Sequence, residues 1–158
     1  DFHCSANKIP VNDNIFDMII MCEVLEHLDN PLEVLKECKR ILKKNGCLII
    51  SIPFLYAIHG DPNDFQRWTP AKIRMELNNN NFKNISINTM GGLFAVIYDL
   101  IHTSLNNASN NKNSLKNKII RKFFMPIIST VFMYLDKKYI YKSKFITTGY
   151  YIKAKKIL

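Results

Sequence analysis

Three ionisable side chains, Glu23, Glu26 and His27, fall within five residues, directly after the apolar run Ile15 to Cys22. A short, nearly continuous apolar run predicts a parallel strand buried on both faces. In open parallel sheets ligands bind beyond the carboxyl ends of the strands, so the turn Glu23-Val24-Leu25-Glu26-His27 falls where a ligand is expected. The competing reading is a solvated turn with a helix-capping carboxylate. Histidine titrates near neutrality when unperturbed, which makes His27 the first candidate for a proton acceptor, with Glu26 orienting it or acting instead. A second polar set, Ile58-His59-Gly60-Asp61-Pro62-Asn63-Asp64-Phe65-Gln66-Arg67-Trp68-Thr69, follows the next apolar run and can converge on the same cleft. His59 joins the candidate catalytic residues. Asp64, Arg67 and Trp68 are candidates for binding an acceptor, although Asp64 can equally hold Arg67 in a structural ion pair.

The elements that must position these groups are legible in the pattern. Asn30-Pro31 supplies a helix start, with Asn30 as N-cap and Pro31 at the first helical position. Leu32, Leu35, Cys38, Ile41 and Leu42 repeat at helical spacing, lysines and an arginine gather near the C-terminus, and Asn45-Gly46 ends the helix. Cys47 to Ile52 predicts a second buried strand ended by Pro53. A strand–helix–strand unit of this length implies a crossover and a parallel sheet. Pro70, capped by Thr69, begins a helix to about Leu77; Phe82 to Met90 and Phe145 to Ala154 read as further strands. Between these last two lie the apolar stretches Leu93 to Leu105 and Ile119 to Leu135, separated by the polar linker Asn106 to Asn113. Pro126 predicts a kink or break in the second stretch. That segment is marginal for spanning a bilayer; a buried helical lid is expected, with an interfacial membrane helix as the alternative.

The chain has 158 residues, enough for one domain with its own core, and an ordinary 47% hydrophobic content. Its net charge of +9 is unevenly placed: residues 112–158 carry 12 basic and one acidic side chain, whereas residues 1–111 carry 10 and 12. The basic tail can attract a membrane surface or a polyanion, or be simply a solvated surface. Cys4, Cys22, Cys38 and Cys47 form no C-x-x-C pair, which suits reduced, mostly buried thiols in a cytoplasmic protein. The chain opens on Asp1, and DFHCSANKIP matches neither a signal nor a transit peptide; the N-terminus reads as a cut edge. No nucleophilic Ser/His/Asp set and no phosphate-binding loop is present.

Taken together, FD at 16–17, LEH at 25–27, Leu42 with Gly46 before the second strand, and Thr148-Gly149-Tyr150 resemble the second half of a class I S-adenosylmethionine-dependent methyltransferase domain of the type 11 kind. The resemblance implies an α/β, Rossmann-like sheet, here partial, with parallel strands, an antiparallel end pair and a helical insertion at about 93–140. It implies S-adenosylmethionine as cofactor, with Cys22 and Glu23 lining its methionine end and Asp1 and Phe2 at its adenine. Asp13 and Phe16-Asp17 match a further family stretch, with Asp17 structural. The 59–69 loop is similar to that of bacterial methyltransferases associated with glycan and cell-surface biosynthesis. The implied activity is methyl transfer to oxygen or nitrogen of a small-molecule or glycan-related acceptor, with no specific nucleic acid. The order Glu23, Glu26, His27, completed by His59, also matches relatives that bind a divalent cation to hold a vicinal diol; for this chain a metal is the lesser alternative. The glycine-rich loop of the family is absent from these residues, so the rival expectation is a non-catalytic remnant that binds a membrane or partner through 93–140 and the basic tail. For the 158 residues alone the expectation is little cofactor affinity and poor solubility, because the first strand would expose an apolar edge.

Overall fold

The structure is a computed structural model that describes residues 3–60, 63–107, 120–139 and 146–157. Asp1 and Phe2, the expected adenine contacts, lie outside the described residues, as do Asp61 and Pro62. Two compact units are present: one comprises Asp1–Phe54, His59–Asn88 and Tyr150–Leu158, the other Leu55–Ile58 and Thr89–Gly149.

The first unit holds the sheet. Strand β1 (Phe16–Cys22) pairs in parallel with β2 (Leu42–Pro53), and helix α1 (Pro31–Ile41) connects them. Pro31 stands at the start of α1 as expected, but Asn30 makes no side-chain cap; its own amide donates to Asp29 Oδ1 at 2.8 Å. The helix ends at Ile41, and β2 starts at once rather than after Asn45-Gly46. The register jumps from Phe16↔Leu42 to Met18↔Cys47, so Asn45, with φ of 63°, and Gly46 form an irregularity inside the strand rather than a stop before it. Helix α2 (Pro70–Asn79) is capped by Thr69, which accepts from the Lys72 amide at 3.3 Å, and leads to β3 (Phe82–Met90). The last strand, β4 (Gly149–Lys156), enters between β2 and β3 to give the order β1-β2-β4-β3. Its direction follows from its ends. Lys156 Nζ reaches the Leu42 carbonyl at the start of β2, while Thr147, just before β4, bonds Met90 at the end of β3. β4 therefore runs antiparallel to both neighbours.

The core between sheet and helices is built from Leu25, Val34, Leu35, Cys38, Leu42, Leu48, Ile50, Ile52, Trp68, Ile73, Leu77, Phe82, Tyr150, Ile152 and Ala154. Inward residues of α1 recur at 34, 35, 38 and 41, the spacing of one helical face. β1 is not buried on both faces and instead shows the exposed apolar edge expected of these residues alone. It occupies the sheet edge, and of its residues only Met21 is buried, while Ile20 is 62% exposed. An edge strand lacks the neighbour that would cover it. The cysteines likewise split: Cys38 and Cys47 are buried, Cys4 and Cys22 exposed, and all four are free thiols.

At the amino-terminal end of β1, Arg40 gathers the preceding loop. Its guanidinium donates to the Ile9 and Val11 carbonyls and pairs with Glu37 at 2.7 Å and Asp13 at 2.6 Å. The Arg40 hydrogen bonds hold the Glu37 carboxyl down to about 2. An open cleft of about 530 Å³ lined by Cys4, Lys8–Asn12, Glu37 and Arg40 lies here, away from the 23–27 turn.

In the second unit, helix α3 (Leu93–Asn107) packs on α4 (Met125–Tyr139), with Phe94 5.8 Å from Phe132 and 6.3 Å from Tyr139 between ring centroids. A π-helical turn, Ile120–Phe124, precedes α4 and leaves Pro126 at its second residue, where a missing amide costs least. The expected break therefore falls ahead of the proline. Asp136 is buried and accepts from the Gly92 and Phe94 amides at 2.6 and 2.9 Å, capping α3 from the neighbouring helix. A β-carbon on Gly92 would lie 3.0 Å from Asp136 Oδ1, so glycine permits this close approach.

Candidate active site

The 23–27 turn is set by its apolar residue. Leu25 is buried in the core, which winds Leu25–His27 into a single 3₁₀ turn at the carboxyl end of β1. That turn directs Glu26 inward. Its side chain is fully buried, and among the described residues neither carboxylate oxygen has a hydrogen-bond partner. Burial raises its pKa.

Two imidazoles face this carboxylate. His27 Nε2 lies 3.5 Å and His59 Nε2 3.8 Å from Glu26 Oε1, and the rings meet edge to face at a centroid distance of 5.2 Å. Ligand atoms of Glu26, His27 and His59 all lie within 4.8 Å of one another. Each imidazole is also held from behind. His27 Nδ1 is 2.6 Å from the Asn63 carbonyl, an acceptor that assigns its proton to Nδ1 and leaves Nε2 with a lone pair facing Glu26. His59 Nδ1 lies 3.4 Å from Asp64 Oδ2, and the His59 amide donates to the same oxygen at 3.0 Å.

The 59–69 loop is tied to the turn largely through backbone. The Phe65 amide donates to the Glu26 carbonyl at 2.8 Å, and Gln66 Nε2 donates to the Leu25 and Leu28 carbonyls at 3.1 and 2.9 Å. Trp68 Nε1 in turn donates to Gln66 Oε1 at 2.7 Å. Gly60 adopts φ of 145°, and a β-carbon there would lie 2.9 Å from the Asn63 carbonyl oxygen and 3.1 Å from His27 Cε1. Only glycine fits without shifting the ring.

The expected residues therefore divide. Glu26, His27 and His59 are brought together. Glu23 stands apart from them: its carboxylate accepts from Ser51 Oγ at 2.6 Å, and its amide donates to the Ser51 carbonyl at 3.1 Å. Its φ of 50° is uncommon for a residue other than glycine or asparagine, and such strain concentrates at functional positions. Cys22 is exposed beside it at the strand end. Asp64 and Arg67 form a two-pronged ion pair that holds the Asp64 carboxyl down to about 2. Arg67 is the more accessible partner. Trp68 is buried in the core rather than presented to solvent. Ser51, Gly60, the Asn63 carbonyl and Gln66 were not among the expected site residues. Backbone acceptors carry no side-chain signature, and Gly60 alone could have been suspected from its glycine.

Comparison with known proteins follows the same geography. Residues 2–50 match the family described as "Methyltransferase domain". A ubiquinone biosynthesis O-methyltransferase of Glaesserella parasuis serovar 5 is 50% identical over 36 residues, which are 23% of this chain and 15% of that enzyme. Among solved structures, the (4+2)-cyclase SpnF aligns over 100% of this chain and 56% of its own, with a TM-score of 0.60 and 17% identity. Phosphoethanolamine N-methyltransferase 2 of Haemonchus contortus, in complex with S-adenosyl-L-methionine, aligns over 98% of this chain and 36% of its own, with a TM-score of 0.55 and 14% identity. At these identities the structural likeness is one of fold.

Proposed function

We propose that this chain, whose residues 2–50 match the family described as "Methyltransferase domain", serves transfer of a methyl group from S-adenosylmethionine to an oxygen or nitrogen of a small-molecule or glycan-related acceptor. The observation that carries this reading is the convergence of His27 and His59 on Glu26 beyond the carboxyl end of β1, where open parallel sheets place their ligands.

S-adenosylmethionine, when bound, would supply an activated methyl group on its sulfonium. The chain's own residues have two tasks. The first is to accept the proton that the acceptor O–H or N–H gives up, and His27 Nε2 is suited to it because Nδ1 is committed to the Asn63 carbonyl. Glu26 then stabilises the resulting imidazolium. The second is alignment, which provides much of the acceleration in a transfer of this kind. Arg67, fixed by Asp64, offers an oriented guanidinium to acceptor oxygens, while Trp68 supports the loop from the core.

The full-length protein, incubated with methyl-labelled S-adenosylmethionine and an extract of its own cells, should label a small-molecule or glycan fraction. Labelling should fall at least about a hundredfold in His27→Ala. Absence of transfer to any fraction would overturn the reading.

A metal-assisted variant is favoured by one observation. A fully buried carboxylate without hydrogen-bond partners, flanked by two imidazole Nε2 atoms whose Nδ1 atoms face a carbonyl and a carboxylate, fits a divalent cation. Glu26, His27 and His59 would hold it, and it would act as a Lewis acid on an acceptor hydroxyl or vicinal diol. Glu23, engaged with Ser51, is outside this set. Titration calorimetry with zinc or manganese should give one site per chain that Glu26→Gln abolishes. Unchanged binding in that variant would remove the metal reading.

A further inference from the structure

The outward face of α4 is apolar where a surface helix is ordinarily polar. Phe123, Phe124, Ile127, Val131 and Tyr134 recur at three- and four-residue spacing and are all exposed, Ile127 and Tyr134 by 65% each. The opposite face packs inward through Met125, Phe132 and Asp136. The helix thus has two apolar sides, and only one is covered by α3 among the described residues.

Three features identify what covers the other. The stripe is bounded by cations, with Lys122 at its start and Lys137 and Lys138 at its end. Asp136, the one acidic residue of 112–158, is 7% exposed and spent on capping α3. The accessible charge of the helix is therefore purely positive. The serine and threonine hydroxyls of the helix are already satisfied, since Ser129 Oγ and Thr130 Oγ1 both donate to the Pro126 carbonyl at 2.8 and 2.9 Å. Those groups can leave water at little cost. A second copy meeting the same face would set like charges against each other, in a segment of 12 basic residues and one acidic. An anionic lipid surface offers the opposite charge together with an apolar layer. No described helix is long and apolar enough to cross a membrane. A stripe from Phe123 to Tyr134 spans roughly 17 Å of helix, which suits lying in the interface with lysine stems reaching the headgroups.

We propose that the exposed apolar face of α4, flanked by Lys122, Lys137 and Lys138, docks this chain on anionic phospholipid bilayers, with the helix parallel to the surface. The methyl-transfer reading is not a premise of this docking.

The test is cosedimentation of the full chain with phosphatidylcholine vesicles, with and without phosphatidylserine. Binding is expected to the phosphatidylserine vesicles and to weaken as salt rises. The double variant Ile127→Asp, Val131→Asp should abolish it. Lys137→Glu, Lys138→Glu should weaken it by about tenfold or more, with circular dichroism and thermal unfolding unchanged because all four side chains are exposed. Failure of the wild-type chain to bind, equal binding to neutral vesicles, or full binding by the aspartate variant would each overturn the proposal. Concentration-dependent dimerisation in ultracentrifugation that the aspartate substitutions remove, without vesicle binding, would assign the face to a second copy instead.

Discussion

His59 Nε2 lies 3.8 Å from Glu26 Oε1, and the carboxylate it faces is fully buried. This pairing places a buried carboxyl that prefers to be neutral beside a partly exposed imidazole, and only the carboxyl is kept from water. A protein stabilised for its own sake would not retain a buried carboxylate without hydrogen bonds.

Glu26→Gln should accordingly raise stability at neutral pH while removing activity. The amide carries no charge to desolvate and can donate to an imidazole lone pair. Urea denaturation is expected to show a gain of about 1–3 kcal/mol, alongside loss of labelled-methyl transfer. A destabilised variant would mean that the carboxylate is a net structural asset.

Gly60→Ala should act through His27. A β-carbon 3.1 Å from Cε1 and 2.9 Å from the Asn63 carbonyl forces the ring or the loop to move, at a backbone conformation that resists side chains. A stability loss of about 1–3 kcal/mol is expected, with a fall in turnover larger than that of a remote substitution equally destabilising. Matched activity loss in the two would remove the positioning role.

Arg67→Lys is expected not to rescue the Asp64 pair. A single ammonium cannot reproduce two parallel hydrogen bonds to a carboxylate that is almost fully buried. Arg67→Ala should cost about 3 kcal/mol and Arg67→Lys most of that, read from urea midpoints.

Acid should act at the other end of β1. The Glu37 carboxyl is held at about 2 by Arg40, below its unfolded value. Its contribution is therefore fully present above the ordinary glutamate range and is lost as pH falls toward 2. Urea midpoints measured from pH 5 to pH 2 should fall less steeply in Glu37→Gln than in the wild type.

Thiol accessibility gives a further check. Burial pushes the Cys38 thiol up to about 12, and Cys47 is buried as well, whereas Cys4 and Cys22 are exposed. Native protein should react with iodoacetamide at Cys4 and Cys22, and at Cys38 and Cys47 only after unfolding. Mass spectrometry of labelled peptides distinguishes the pairs.

Local rules made much of the fold readable. Pro31, Pro70 and Thr69 announced helix starts, and the apolar runs before Glu23 and before Pro53 announced neighbouring strands, because these signals act over a few residues. An apolar run is the same at an edge as in the middle, so the β1 run fits both burial on two faces and an exposed apolar edge, and the structure has the second. Asn45-Gly46 was misread because a turn signal and an irregularity within a strand use the same residues. At the site, the titratable residues were visible by type, and Glu26, His27 and His59 do converge. The Asn63 carbonyl, the Gln66 tether and the inward position of Trp68 follow from how the 59–69 loop folds back on the 25–27 turn, which no spacing encodes.

β4 lies between β2 and β3, and its last residue, Lys156, bonds Asn14 Oδ1 and the Leu42 carbonyl at 2.7 Å each. The middle of the sheet is thus filled by a strand that leaves the ribosome after β1, β2 and β3. β2 and β3 must wait with a gap between them until residues 149–156 emerge, and closing that gap joins positions 142 apart in sequence. Assembly is then governed by a long-range search rather than by local winding, so nascent chains stalled before Gly149 should be the species that chaperones hold.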